Sequence, residues 1–123
     1  IYFKSVLAFA KSPVGMRMRN AFLNGTLKRE QPFVMSIPAS EADPSYPAEE
    51  TILVQGIIDA WFTEGEKLVL VDYKTDRVKE IGELKKRYEK QLAYYQQALE
   101  RTTGKKVKEK IIYSLALDEE LVL

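Results

Sequence analysis

The chain has 123 residues, 46% hydrophobic and 30% charged, with a net charge of +1. That is one ordinary globular domain, large enough for a single hydrophobic core but marginal for two, and its overall charge does not argue for a nucleic-acid partner. It contains no cysteine and no histidine, which excludes disulfides, thiolate zinc sites, iron–sulfur clusters and imidazole ligands or bases and leaves oxygen donors for any metal.

Read in chain order, Ile1 to Ala10 has mixed apolar periodicity compatible with a helix, and Gly15 to Asn24 reads as a short helix stopped by Asn24-Gly25. Thr26 to Ile37 reads as a strand with Leu27, Phe33, Met35 and Ile37 on one alternating set, and Pro32 argues for an edge position or an irregularity. Residues 38–50 hold three of the five prolines and several acids, the composition of a mobile surface loop. Two apolar runs follow, Thr51 to Phe62 and Leu68 to Lys74, and Glu64-Gly65-Glu66-Lys67 between them suits a hairpin. A long helix is predicted from about Glu80 to Arg101, with Ile81, Leu84, Tyr88, Leu92, Tyr95 and Leu99 as its apolar stripe. Val107 to Leu117 returns as a strand, and strand, crossover helix and strand place it parallel to Leu68–Lys74. The order is helix, three strands, helix, strand. No apolar run is long enough to span a bilayer, and neither a membrane segment nor a signal peptide is expected. Ile1 at the start and Leu121-Val122-Leu123 at the end give the expectation of a piece of a larger protein.

The hairpin carries the chemistry. Its register sets Asp59 opposite Asp72 with both side chains on one face, and Lys74 shares that face because side chains alternate with period two. Opposed like charges among Ile, Val, Leu and Trp call for a compensating cation. Asp59 and Asp72 would each give an oxygen to a divalent ion, and the backbone carbonyl of Tyr73 could give a third. Lys74 beside that ion could orient an attacking water or neutralise charge developing on a phosphoryl group, as phosphodiester hydrolysis requires. Glu30 is a weaker candidate, with a structural or solvated role favoured. For Lys85, Lys86, Arg87 and Lys90 a solvated face is favoured over a phosphate track, because Glu83 and Glu89 interleave. Trp61 and Phe62 read as core rather than stacking platforms.

Gly56-Ile57-Ile58-Asp59, then Asp72-Tyr73-Lys74, then Gln91-Leu92-Ala93-Tyr94-Tyr95 match in order the G-x-x-D, D-Y-K and Q-x-x-x-Y motifs of RecB-like nucleases. Over roughly residues 15–117 the chain resembles this branch of the PD-(D/E)XK nuclease superfamily. Arg29-Glu30-Gln31-Pro32-Phe33 and V-D-Y-K-T-D-R-V add a likeness to the C-terminal nuclease domain of AddA-type helicase–nuclease subunits. The resemblance implies an α/β, restriction-endonuclease-like αβββαβ core, in which helices flank a central four-stranded mixed sheet. It implies one nuclease domain over residues 1–123, with Asp59 and Asp72 as metal ligands and Lys74 as the catalytic lysine. Gln91 and Tyr95 would shape the site or contact DNA. Their i, i+4 spacing independently sets them on one helical face, although Gln91 also reads as solvated and Tyr95 as core.

Further implied are a magnesium or manganese cofactor without an iron–sulfur cluster, a single DNA strand fed from a helicase, and a second subunit of AddB-like kind. A role in break repair and recombination and a cytoplasmic location are implied with them. ATP would act only in a helicase part, since no G-x-x-x-x-G-K-[ST] loop occurs here. The alternatives are a non-catalytic DNA-binding or docking module of the same fold, and a stand-alone nuclease such as a junction resolvase or restriction-type enzyme. One departure stands out. RecB-like nucleases usually carry a metal-ligating histidine on an upstream helix and this chain has none, so weak metal binding and weak or absent activity are expected of the isolated piece.

Overall fold

The structure is a computed structural model and describes residues 3–123. The expected first helix is α1 (Phe3–Lys11), its predicted residues Ile1 and Tyr2 lying outside the described residues. Ser12 caps α2 (Pro13–Leu23) by accepting the Gly15 amide at 3.0 Å, and Pro13 opens the helix where a missing N–H does no harm. Gly15 has to be a glycine, because a Cβ there would lie 1.9 Å from the Phe9 carbonyl oxygen where α1 and α2 meet. Past Asn24 the chain turns through Gly25 at φ 73°, as its sequence predicts.

The remaining elements are β1 (Leu27–Pro38), α3 (Ala39–Ala42), β2 (Thr51–Glu64), β3 (Lys67–Lys74), α4 (Gly82–Thr103), β4 (Val107–Ser114) and β5 (Glu119–Val122). The strands form one sheet in chain order, antiparallel except for β3 and β4, which run parallel across the α4 crossover. This is the expected mixed α/β architecture, and β1 is the edge strand that Pro32 called for. A fifth strand joins the expected four. The expected loop at residues 38–50 includes the single turn of α3, and the loop between β2 and β3 is Gly65-Glu66 instead of four residues, with Gly65 at φ 63°. Glu64 and Lys67 pair as the last rung because a positive-φ glycine lets a two-residue turn follow the strands' twist.

β3 is central and buried on both faces. Val69 and Val71 pack with Val14, Met18 and Ala21 of α2, together with Phe62, Ile111 and Tyr113. Leu68 and Leu70 pack with Leu84, Leu92, Tyr95 and Leu99 of α4, together with Ile58 and Ile112. The α4 stripe thus forms as its spacing predicts. Burying each such Leu or Ile side chain contributes roughly 2 kcal/mol. Arg17 of α2 forks onto Glu64 at 2.8 Å and Glu109 at 2.9 Å, fastening the hairpin end and β4 on that side.

One irregularity decides where the site forms. Glu30 has φ 51°, a left-handed conformation that costs a residue with a Cβ about 1 kcal/mol. The β1–β2 register continues on either side of it, through Arg29↔Ala60 and Gln31↔Ile58, but the rung between, Glu30 with Asp59, is skipped. The faces exchange there. Leu27, Ala60 and Phe62 lie in the α2-side core, whereas Phe33 and Ile58 lie in the α4-side core. Leu27 therefore parts from the alternating set predicted for it with Phe33, Met35 and Ile37, because the pleat is broken between them.

Candidate metal and nuclease site

The sheet forks beside Asp59. The β2–β3 ladder runs from Glu64↔Lys67 only as far as Ala60↔Val71, while β2 continues with β1 and β3 continues with β4 to Lys74↔Ser114. Where the two strands part, the Tyr73 amide has no β2 carbonyl to meet, and it donates instead to Asp59 Oδ2 at 2.8 Å. A strand residue's N–H and C=O leave on the same side. The Tyr73 carbonyl therefore also faces the fork, while the Lys74 carbonyl points the other way and accepts from the Leu115 amide at 2.9 Å.

Asp72, at 2% exposure, is one of only two buried polar or charged residues among those described, the other being Ser114. Burial pushes its carboxyl up to about 6; Lys74 pulls it down, and the neighbouring Asp59 pushes it further up. The Lys74 ammonium lies 2.8 Å from Asp72 Oδ2, an ion pair by distance. Lys74 donates to Gln91 Oε1 at 3.0 Å, and its Nζ stands 3.9 Å from the centre of the Tyr88 ring.

Tyr95 is buried beneath this group, with its ring edge-on to Phe33 at 5.4 Å. Burial first, then the charges of Asp72 and Asp59, raise its phenol pKa. Gly56 leaves room for that contact, since a Cβ there would come within 3.1 Å of the Phe33 ring and 3.3 Å of Tyr95. The glycine of G-x-x-D and the tyrosine of Q-x-x-x-Y therefore touch. The core role read for Tyr95 and its place beneath the carboxylates hold together.

Of the residues singled out in the sequence, Asp59, Asp72, Tyr73, Lys74, Gln91 and Tyr95 come together at the fork. Glu30 is exposed, and what it brings is its backbone kink beside Asp59. Lys85, Lys86 and Lys90 are exposed on α4, and Arg87 is turned to Asp76 at 3.0 Å. Phe62 is core and Trp61 packs at the core's margin, as their sequence context predicts. Two neighbours escape a reading of the sequence. Tyr88 sits within an apolar stripe, and Asp76, which accepts from the Tyr88 hydroxyl at 2.8 Å, sits within a turn. The i, i+3 spacing of Tyr88 and Gln91 is the one available signal.

Two carboxylates acting on each other, one of them buried, and a strand carbonyl make an all-oxygen donor set suited to a hard divalent cation. Among the described residues no three His, Cys, Asp or Glu side chains gather. Such a pair suits an ion that keeps several waters, as magnesium does, more than one caged wholly by protein.

Comparison with known proteins agrees with this geometry. The family model of the PD-(D/E)XK nuclease superfamily matches residues 9–121. An ATP-dependent helicase/nuclease subunit of the AddA type, from Clostridium botulinum (strain 657 / Type Ba4), is 46% identical over 117 residues, which is 92% of this chain and 9% of the relative. The same-named proteins of the C. botulinum Loch Maree strain and of Clostridium kluyveri are 45% and 42% identical over the same shares. The chain thus spans about 9% of the length of the curated relatives it matches. Nucleases of this superfamily generally work with divalent metals. With a match over nearly its whole length and the three motifs meeting at one fork, the chain belongs to the PD-(D/E)XK nuclease superfamily.

Proposed function

We propose that this chain is a single metal-dependent nuclease domain that hydrolyses DNA phosphodiester bonds, and that it serves a larger ATP-dependent helicase–nuclease in break repair and recombination. The observation that carries this reading is the convergence at the fork of Asp59, Asp72 and the Lys74 ammonium, which is 2.8 Å from Asp72. The larger context is supported by the names and identities of the relatives.

In this reading Asp59, Asp72 and the Tyr73 carbonyl hold magnesium or manganese. A bound divalent ion supplies Lewis acidity at a phosphoryl oxygen and lowers the pKa of water. The Tyr73 amide fixes one Asp59 oxygen, so that carboxylate keeps its orientation whether or not substrate is present. Lys74, steadied by Gln91, orients the attacking water and offsets the negative charge that develops on the phosphoryl group. Tyr95 packs α4 against Gly56 and sets the height of Gln91 one turn earlier. The substrate is single-stranded DNA delivered by a helicase motor, and a second, AddB-like subunit completes the machine.

The test is cleavage of single-stranded DNA with magnesium or manganese by this domain within a longer chain that restores the upstream helix and its histidine, since the piece without a histidine is expected to be weak or inactive. Cutting should stop in chelator, and Asp59→Ala should slow it by about a hundredfold or more. Cutting that persists unchanged in chelator and in the variant contradicts the reading.

A further inference from the structure

We propose that Tyr88 is a positioning residue for Lys74: its ring face supports the ammonium, and its hydroxyl, tied to Asp76, stops the ring from swinging away. The proposal rests on the nuclease reading above for what Lys74 does, but its geometry stands without that reading.

Lysine carries a compact charge on a flexible four-carbon stem, so a lysine that must act at one point needs walls. Here the ammonium has Asp72 Oδ2 at 2.8 Å, Gln91 Oε1 at 3.0 Å and the Tyr88 ring centre at 3.9 Å. The ring is the one apolar neighbour among these three contacts. A cation this close to an aromatic face is attracted by the ring's quadrupole, most strongly where water is thinned out, and the Lys74 side chain is only 15% exposed.

The ring is itself fastened. The Tyr88 hydroxyl donates to Asp76 Oδ2 at 2.8 Å, and Arg87 donates to the same oxygen at 3.0 Å. Asp76 lies two residues beyond Lys74, in the connection that leaves β3 for α4. The segment that follows the lysine thus reaches across to grip the helix residue beneath it. A tyrosine serving only the apolar stripe needs neither an ammonium over its face nor a carboxylate on its hydroxyl.

Two variants separate the roles. Tyr88→Phe keeps the face and loses the tether, and Tyr88→Leu keeps apolar bulk and loses the face. The first readout is the NMR position of the Lys74 ε-methylene protons, identified by their absence in Lys74→Met. They should be ring-shifted upfield in the wild type and in Tyr88→Phe, and unshifted in Tyr88→Leu. The second is steady-state cleavage of single-stranded DNA with magnesium. Tyr88→Leu should lose about tenfold in kcat with KM within about twofold, and Tyr88→Phe, which keeps the face without its tether, should lose about threefold. A Leu variant with wild-type kcat, a Leu variant that keeps the lysine shift, or a Phe variant as slow as Leu overturns the role of the ring face, and a Phe variant as fast as wild type overturns the role of the tether. If Tyr88→Leu does not fold, the wild-type lysine decides: an upfield position supports the proposal and an unshifted one overturns it. Cleavage is read in the longer chain that restores the upstream histidine; if its wild type cuts no DNA, the nuclease reading fails separately, and the shift measured on this chain, lost or kept in Tyr88→Leu, still supports or overturns the support of Lys74 by the ring.

Discussion

Asp72→Asn should raise the thermal midpoint of the metal-free chain at pH 7 while removing its DNA cleavage. Burial, aided by Asp59 and opposed by Lys74, lifts the Asp72 carboxyl up to about 6, against about 3.9 in an unfolded chain. A carboxyl raised in the fold favours folding most below the unfolded value. That advantage is lost as pH climbs through about 6, because the fold must then hold a buried charge. Two pKa units correspond to about 3 kcal/mol at most. The pull of Lys74 is already contained in that value, and the figure is an upper bound, so a gain of about 1 to 2 kcal/mol, a few degrees in midpoint, is expected. Unfolding curves in chelator should separate the variant from wild type at pH 7 and bring them together near pH 4. Added magnesium should raise the wild-type midpoint and leave the variant's unchanged. Cleavage should fall on the order of a thousandfold, since the substitution removes a buried charge from the cation's donor set. A variant less stable than wild type at pH 7 would show that Asp72 is a satisfied structural partner of Lys74.

Lys74→Met should be equally inactive with the opposite effect on stability. It retains the bulk of the lysine stem but leaves Asp72 buried beside Asp59 with no positive charge at 2.8 Å. Breaking one side of a buried pair costs roughly 3 to 5 kcal/mol when the remaining charge has no escape. Asp72 does have an escape, protonation, so about 2 kcal/mol is expected at pH 7, shrinking toward pH 5 as the proton is taken up. Loss of the ammonium from the reacting phosphoryl group should lower kcat by about a hundred- to a thousandfold with little change in KM. Circular dichroism melts at both pH values and steady-state cleavage check the two halves independently. A Met variant more stable than wild type at pH 7 would mean that the pair is not what holds the Asp72 charge in the fold.

Much of this fold is legible in the sequence because its signals are long or paired. The α4 stripe runs through several turns, and the unbroken apolar run of β3 can satisfy only a strand covered on both faces. The parallel placement of β4 follows from having to cross over by a helix. What stays hidden is local. No residue type announces that Glu30 goes left-handed, yet that kink exchanges the faces of β1 and β2 and lies beside the fork. The two apolar runs read as one continuous hairpin, which sets Asp59 against Asp72 but misses that β2 leaves β3 at that rung and hands the Tyr73 amide to a side chain. β5 is too short for period two to register. Tyr88 and Asp76 are invisible for a different reason: each fits a bland role, stripe and turn, and only their contact across the β3–α4 connection separates them from it.

A crystal of this chain soaked in manganese and measured at the metal's absorption edge tests most directly whether the fork holds a cation. The expected result is an anomalous peak bounded by the Asp59 and Asp72 carboxylates and the Tyr73 carbonyl, with Lys74 beside it. A peak that touches only one of the two aspartates, or manganese bound only elsewhere on the protein, would contradict a shared cation site.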